Sequence, residues 1–171
     1  MKLLGLPGRK ASILAQMVEL VGSVRLGQTQ GRVQEYGFWG VADVANPDAE
    51  PEAVIAAASG ADAVISKSFG ALVTMMAASR HGFRPARCVF IGTPLLRLEG
   101  EGLDLLEAHC ARTPTLFIQQ TADFNGAFDA LMKRVSGPRH IACVEVPGKD
   151  HLYADTAGLV AAIEAWWSAR P

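Results

Sequence analysis

The apolar positions of this chain switch repeatedly between two spacings, and the switches sketch its elements. Lys2 to Leu6 is a short apolar run, whereas Ala11 to Val21 places Ile13, Leu14, Met17, Val18 and Val21 on one face of a helix. Val33 to Trp39 reads as a weaker strand, interrupted by Glu35 and Gly37, and Pro51 to Ser59 as a helix with proline near its start. The alternation then becomes regular. Ala63 to Ser66 predicts a strand, Ala71 to Ser79 a helix, Arg87 to Ile91 a strand and Leu103 to His109 a helix. Thr115 to Gln119 is a strand, Ala127 to Val135 a helix, Ile141 to Val146 a strand, and Thr156 to Ala169 the closing helix.

Strands that alternate with helices imply parallel pairing, since each parallel crossover needs a connection of helix length. Buried parallel strands carry continuous apolar runs, as AVIS, CVFIG, TLFIQ and IACVEV do here. The expected fold class is therefore α/β: a three-layer α/β/α sandwich with a mostly parallel six-stranded sheet. Residues 1–171 read as a single domain, with no repeat or linker, and the longest expected loop is Gly92 to Gly102.

Composition narrows the partners. The chain is 50% hydrophobic, and 16 basic against 17 acidic residues give a formal charge of −1 without any dense Lys/Arg block. Nothing then draws it to nucleic acid or an anionic membrane, and a small molecule is the expected partner. Cys88, Cys110 and Cys143 are odd in number and widely spaced, so they read as buried thiols of a reducing, cytoplasmic setting. Pro7, Arg9 and Lys10 interrupt the apolar start before a signal-peptide core forms, and no run is long enough to span a membrane. The hydrophobic content leaves a homodimer open without marking a patch.

In a parallel sheet of this kind, ligands bind beyond the carboxyl ends of the strands. The third strand is followed by Ser66-Lys67-Ser68-Phe69-Gly70, the fifth by Thr121-Ala122-Asp123, and the sixth by Pro147-Gly148-Lys149-Asp150-His151. These loops bring Ser, Asp and His to one edge, in that chain order. A serine hydroxyl becomes a nucleophile when an imidazole takes its proton, and the imidazole needs a carboxylate to fix its tautomer and stabilise its charged form. A nucleophile on a sharp strand-to-helix turn also needs small residues two positions to either side, which Ser66 and Gly70 supply.

With these residues in place the chain resembles the α/β-hydrolase superfamily, in particular small dienelactone-hydrolase-like esterases without a lid. The family's Gly-x-Ser-x-Gly elbow is similar to Ser66–Gly70, with Ser66 at the first glycine. LFIQQTAD matches the acid motif up to Asp123, and Gly148-Lys149-Asp150-His151-Leu152-Tyr153 matches the histidine motif. The resemblance spans nearly the whole chain, as a truncated core in which the first strand corresponds to the family's third, and implies the sheet order 2-1-3-4-5-6. It further implies a serine hydrolase of a small carboxylic ester or thioester, with catalytic Ser68, His151 and Asp123 and no cofactor. One oxyanion donor would be the Phe69 N–H; the other would be Gly8 or Arg9, because Pro7 has no N–H. The usual His-Gly start of that loop is absent. The alternative is an α/β-hydrolase-like binding or scaffold domain without turnover.

Several residues carry two readings. Ser68 also suits a helix N-cap, Asp123 a turn, and His151 a solvated loop. Ser66 is the rival nucleophile, read here as packing, and Asp150 and Asp155 are rival acids too close to His151 in sequence. Lys67 reads either as an anchor for a substrate carboxylate or as a solvated side chain. Arg9 and Lys10 read as an anion site or an ordinary helix start. Phe38 and Trp39 are candidate pocket walls, and of Trp166 and Trp167 one should pack on the sheet. His81, His109 and His140 lack metal-ligand spacing, and no phosphate-cradling glycine motif is present, so neither a metal nor a nucleotide is expected.

Overall fold

The computed structural model describes residues 1–41 and 44–169. Its strands are β1 (Lys2–Leu6), β2 (Gln30–Val33), β3 (Ala63–Lys67), β4 (Arg87–Ile91), β5 (Thr115–Gln120) and β6 (Ile141–Val146). The helices are α1 (Leu14–Ser23), α2 (Glu50–Ala58), α3 (Phe69–Arg80), α4 (Glu101–Cys110), α5 (Phe128–Val135) and α6 (Thr156–Ser168). One sheet joins the strands in the order β2-β1-β3-β4-β5-β6. All five pairings are parallel.

Side chains alternate across the buried strands and feed two cores. Leu4, Leu6, Val64, Phe90 and Phe117 meet α2 to α5 on one face, where Ala53, Val73, Met75, Leu106 and Leu131 close the layer. Leu3, Ala63, Ile65, Val89 and Ile118 point the other way, onto Met17 and Leu20 of α1 and Ile163 and Trp166 of α6. Because both faces are covered, the central strands carry apolar side chains in both directions, which explains their unbroken hydrophobic runs.

One expected element is misplaced. The second strand is Gln30–Val33, not Val33 to Trp39, and Phe38 and Trp39 lie in a 3₁₀ turn over Gly37–Gly40. β2 is an edge strand whose residues are exposed or half-buried, so it carries no apolar run that sequence could reveal. The aromatic residues of Val33 to Trp39 pack elsewhere: Tyr36 lies stacked on Phe38 at 5.3 Å between ring centroids and tilted against Trp39 at 5.1 Å. As a result β2 and α2 stand further apart in sequence than β4 and α4, which flank the Gly92 to Gly102 stretch expected to be the longest loop. Of the paired tryptophans, Trp166 packs into the core and Trp167 lies partly buried beside it; Arg87 sits over both rings.

Candidate active site

β3 runs into α3 through Ser68, whose φ of 50° and ψ of −111° lie where non-glycine residues are rarely found. Such strain persists only where the surroundings impose it. Here Ser68 N–H donates to the Ile91 carbonyl at 2.9 Å, and α3 starts so close to β1 that a Cβ on Gly70 would stand 2.1 Å from the Leu6 carbonyl oxygen. Only glycine fits at that position. Ser66 is fully buried and its hydroxyl pairs with Thr74 Oγ1 at 2.7 Å, while Thr74 donates onward to the Gly70 carbonyl. Ser66 therefore ties the strand to the helix.

Ser68 stands at the N-cap position of α3 but makes no side-chain capping bond. Its Oγ lies 2.8 Å from His151 Nε2, and His151 Nδ1 lies 2.7 and 2.9 Å from the two oxygens of Asp123. Burial raises the Asp123 pKa, but hydrogen bonds from His151, from the Tyr153 hydroxyl and from the Asn125 N–H outweigh it and hold the carboxyl below its ordinary value. An ionised Asp123 accepts, so Nδ1 carries the proton and Nε2 offers its lone pair to the serine hydroxyl. Asp150 and Asp155 are otherwise engaged: Asp150 accepts from Gln120 Nε2 and the Leu152 N–H, and Asp155 caps α6 through the Gly158 N–H.

Three residues of this network went unread in the sequence. Gln120 accepts the His151 N–H at 2.8 Å, and its own N–H donates to the Tyr153 hydroxyl at 2.9 Å. That hydroxyl in turn donates to Asp123 Oδ2 at 2.7 Å, and burial raises the Tyr153 pKa, so the phenol stays protonated. Gln119 is fully buried and grips the Thr93 N–H at 2.8 Å and the Gly126 carbonyl at 2.5 Å, fixing the loops after β4 and β5. The signal was available: a glutamine pair closing the apolar strand TLFI costs free energy to bury unless both amides are satisfied.

The β1–α1 loop passes the elbow at short range. A Cβ placed on Gly8 would stand 3.8 Å from Ser68 Cβ. The Tyr36 hydroxyl donates to the Pro7 carbonyl at 2.8 Å and Trp39 Nε1 to the Arg9 carbonyl at 2.7 Å, so two aromatic side chains hold the loop. Arg9 also reaches the Val44 and Ala45 carbonyls. Phe38 meets Phe69 edge-on at 5.6 Å, so Tyr36, Phe38, Trp39 and Phe69, the last next to Ser68 in sequence, form one aromatic cluster. Phe124, 61% exposed, lies 5.6 Å from the His151 ring, and Leu152, which follows His151 in sequence, is exposed as well.

Lys67 departs from the solvated reading. It is 3% exposed, and its ammonium donates to Gln16 Oε1 at 2.6 Å and to the Leu152 carbonyl. His81 pairs with Glu50, His109 with Thr115 and His140 with the Cys110 carbonyl, and the described residues contain no group able to hold a metal ion. Cys88 and Cys110 are buried and Cys143 is half-buried, all as free thiols. No helix among the described residues is long and apolar enough to cross a membrane.

No family model matches the sequence, and no curated protein matches it. Solved structures do match, and they carry the α/β-hydrolase fold. An esterase domain from a Rhodothermus marinus protein superposes with a TM-score of 0.66 at 15% identity, covering 96% of this chain and 85% of that one. FphF, a fluorophosphonate-binding serine hydrolase of Staphylococcus aureus, gives 0.61 at 16% identity, over 97% and 83%. A haloalkane dehalogenase variant from Bradyrhizobium elkanii gives 0.68 at 10% identity, over 98% and 89%. The chain thus has the α/β-hydrolase fold, on which its neighbours perform more than one chemistry.

Proposed function

We propose that this protein is a serine hydrolase that cleaves a small carboxylic ester or thioester through an acyl-enzyme intermediate. The observation that carries the reading is the continuous chain from Ser68 Oγ to His151 Nε2 at 2.8 Å and from His151 Nδ1 to Asp123 Oδ2 at 2.7 Å. His151 takes the hydroxyl proton as Ser68 Oγ attacks the acyl carbon, and Asp123 stabilises the imidazolium that forms. The Phe69 N–H opens α3, where a helix's first N–H groups have no intrahelical acceptor, and it receives the developing oxyanion. The second donor comes from the Gly8–Arg9 segment, supported by its approach to Ser68. Collapse of the tetrahedral intermediate expels the alkoxide or thiolate, which leaves with the proton from His151. Water, deprotonated by the same imidazole, then releases the acid and frees Ser68.

The cluster of Phe38, Trp39 and Phe69 and the exposed Phe124 and Leu152 favour an apolar acyl group over a charged one. With the Lys67 ammonium taken up by protein acceptors, a substrate carboxylate is left without that partner. The test is intact mass after incubation with a fluorophosphonate, for wild type and Ser68→Ala, followed by short acyl esters and thioesters. One adduct on wild type and none on Ser68→Ala is expected. An unlabelled wild type would instead favour a binding or scaffold domain.

A further inference from the structure

The segment after β6 is locally unfavourable. His151 and Tyr153 both have positive φ, 61° and 55°, and neither is glycine. Residues held this way persist only where their surroundings over-determine them. Asp123 and Gln120 hold the segment from the β5 side. The other side is held by two residues outside the Ser-His-Asp set. Lys67 Nζ donates to the Leu152 carbonyl and to Gln16 Oε1, and lies 5.7 Å over the Tyr153 ring. The same Gln16 amide donates from Nε2 to the Tyr153 carbonyl at 2.5 Å and the Leu152 carbonyl at 3.3 Å. Among the described residues, the side-chain hydrogen bonds this pair makes outside itself fall on the two residues that follow the histidine.

We propose that Lys67, acting with Gln16, is a positioning residue that clamps the Leu152 and Tyr153 carbonyls and so keeps the His151 imidazole on Ser68. The proposal rests on the serine-hydrolase reading above. The groups facing the ammonium are Gln16, the Leu152 carbonyl, the Tyr153 ring and the carboxylates of Asp150 and Asp123. An apolar residue at this position would fill the volume without the cost of a buried charge, so what the lysine adds is its donors. Burial lowers its pKa to about 8 against the pull of Asp150 and Asp123, which places loss of the charge within reach of a pH titration.

The test compares wild type, Lys67→Met and Gln16→Ala by fluorophosphonate labelling rate against pH, by melting, and by the low-field NMR resonance of the His151 Nδ1 proton. The expected result is a Lys67→Met protein that melts like wild type or higher, labels at least tenfold more slowly near neutral pH and loses the low-field resonance. Gln16→Ala should shift both readings in the same direction by less. The wild-type rate should decline above about pH 8, where the ammonium is lost, and that alkaline decline should be missing in Lys67→Met. A Lys67→Met protein with the wild-type rate and resonance overturns the proposal. If wild type is not labelled at any pH, the hydrolase reading falls and the resonance alone decides: kept in Lys67→Met it overturns the clamp, lost it supports it. Should Lys67→Met fail to fold, Gln16→Ala decides by the same readings.

Discussion

Two histidines, His109 buried and His151 half-buried, stand at opposite ends of β5, and the contrast between them separates a site from a core. His109 packs on Phe90 with ring centroids 4.8 Å apart and pairs through Nε2 with Thr115 Oγ1 at 3.0 Å. Thr115 donates to the Thr113 carbonyl, so it accepts from Nε2–H, and the bare Nδ1 is a buried nitrogen with no partner among the described residues. Burial, aided by His140, pushes its pKa down to about 4. His151 sits at the other end with a carboxylate on one nitrogen and a hydroxyl on the other. Burying an imidazole without a carboxylate favours its neutral form, whereas a carboxylate behind it and a hydroxyl before it make the arrangement that general-base chemistry requires.

The sharpest way to break this contrast is at the hydroxyl. Ser68→Ala should abolish fluorophosphonate labelling, whereas Ser66→Ala should keep most of it and lose about 1 kcal/mol of stability with its hydrogen bond to Thr74. A dead Ser66→Ala with an active Ser68→Ala, read by intact mass, would reverse the assignment of the two serines. Next comes the carboxylate. Asp123→Asn keeps the shape but offers His151 Nδ1 an amide, which favours the wrong tautomer, and labelling should fall by on the order of 10⁴-fold. Asp150→Asn should label nearly as wild type, since its carboxylate serves Gln120 and Leu152 instead of the imidazole.

The core histidine should show itself only in stability. Because the folded protein resists protonating His109 until about pH 4, the unfolded chain binds more protons between its ordinary value of 6.5 and pH 4. Stability is complete above that window and declines as pH falls through it. His109→Gln should remove this part of the acid slope in chemical denaturation while leaving labelling at neutral pH unchanged. An effect of the same order lies at alkaline pH. Lys67 has a folded pKa of about 8 against an ordinary 10.5, so the unfolded chain holds the extra proton between those values. Wild-type stability should therefore rise from pH 8 to 10.5, and that increment should be missing from Lys67→Met.

The central strands could be read in the chain because they are buried on both faces; β1 and β4 lie where their apolar runs lie, and β6, the other edge strand, is half-buried yet keeps the apolar run that marks it. β2 could not be read, because an edge strand facing solvent carries Gln30, Gly31 and Arg32 without a periodic signal. Ser68, Asp123 and His151 were legible from their places behind β3, β5 and β6, since parallel topology sends all three loops to one edge. Gln16 was not, for nothing in an α1 sequence says that one amide will reach a loop 136 residues away.

By itself, then, the sequence determined the layer order and the edge at which chemistry would gather, because burial and crossover length leave few other arrangements for this pattern. Only the tertiary structure decided which of two adjacent polar side chains turns inward. Lys67 went to Gln16 and Leu152, Ser66 to Thr74, and Asp150 away from the imidazole beside it. A polar side chain settles where a partner offsets its desolvation, and those partners come from elements remote in the chain.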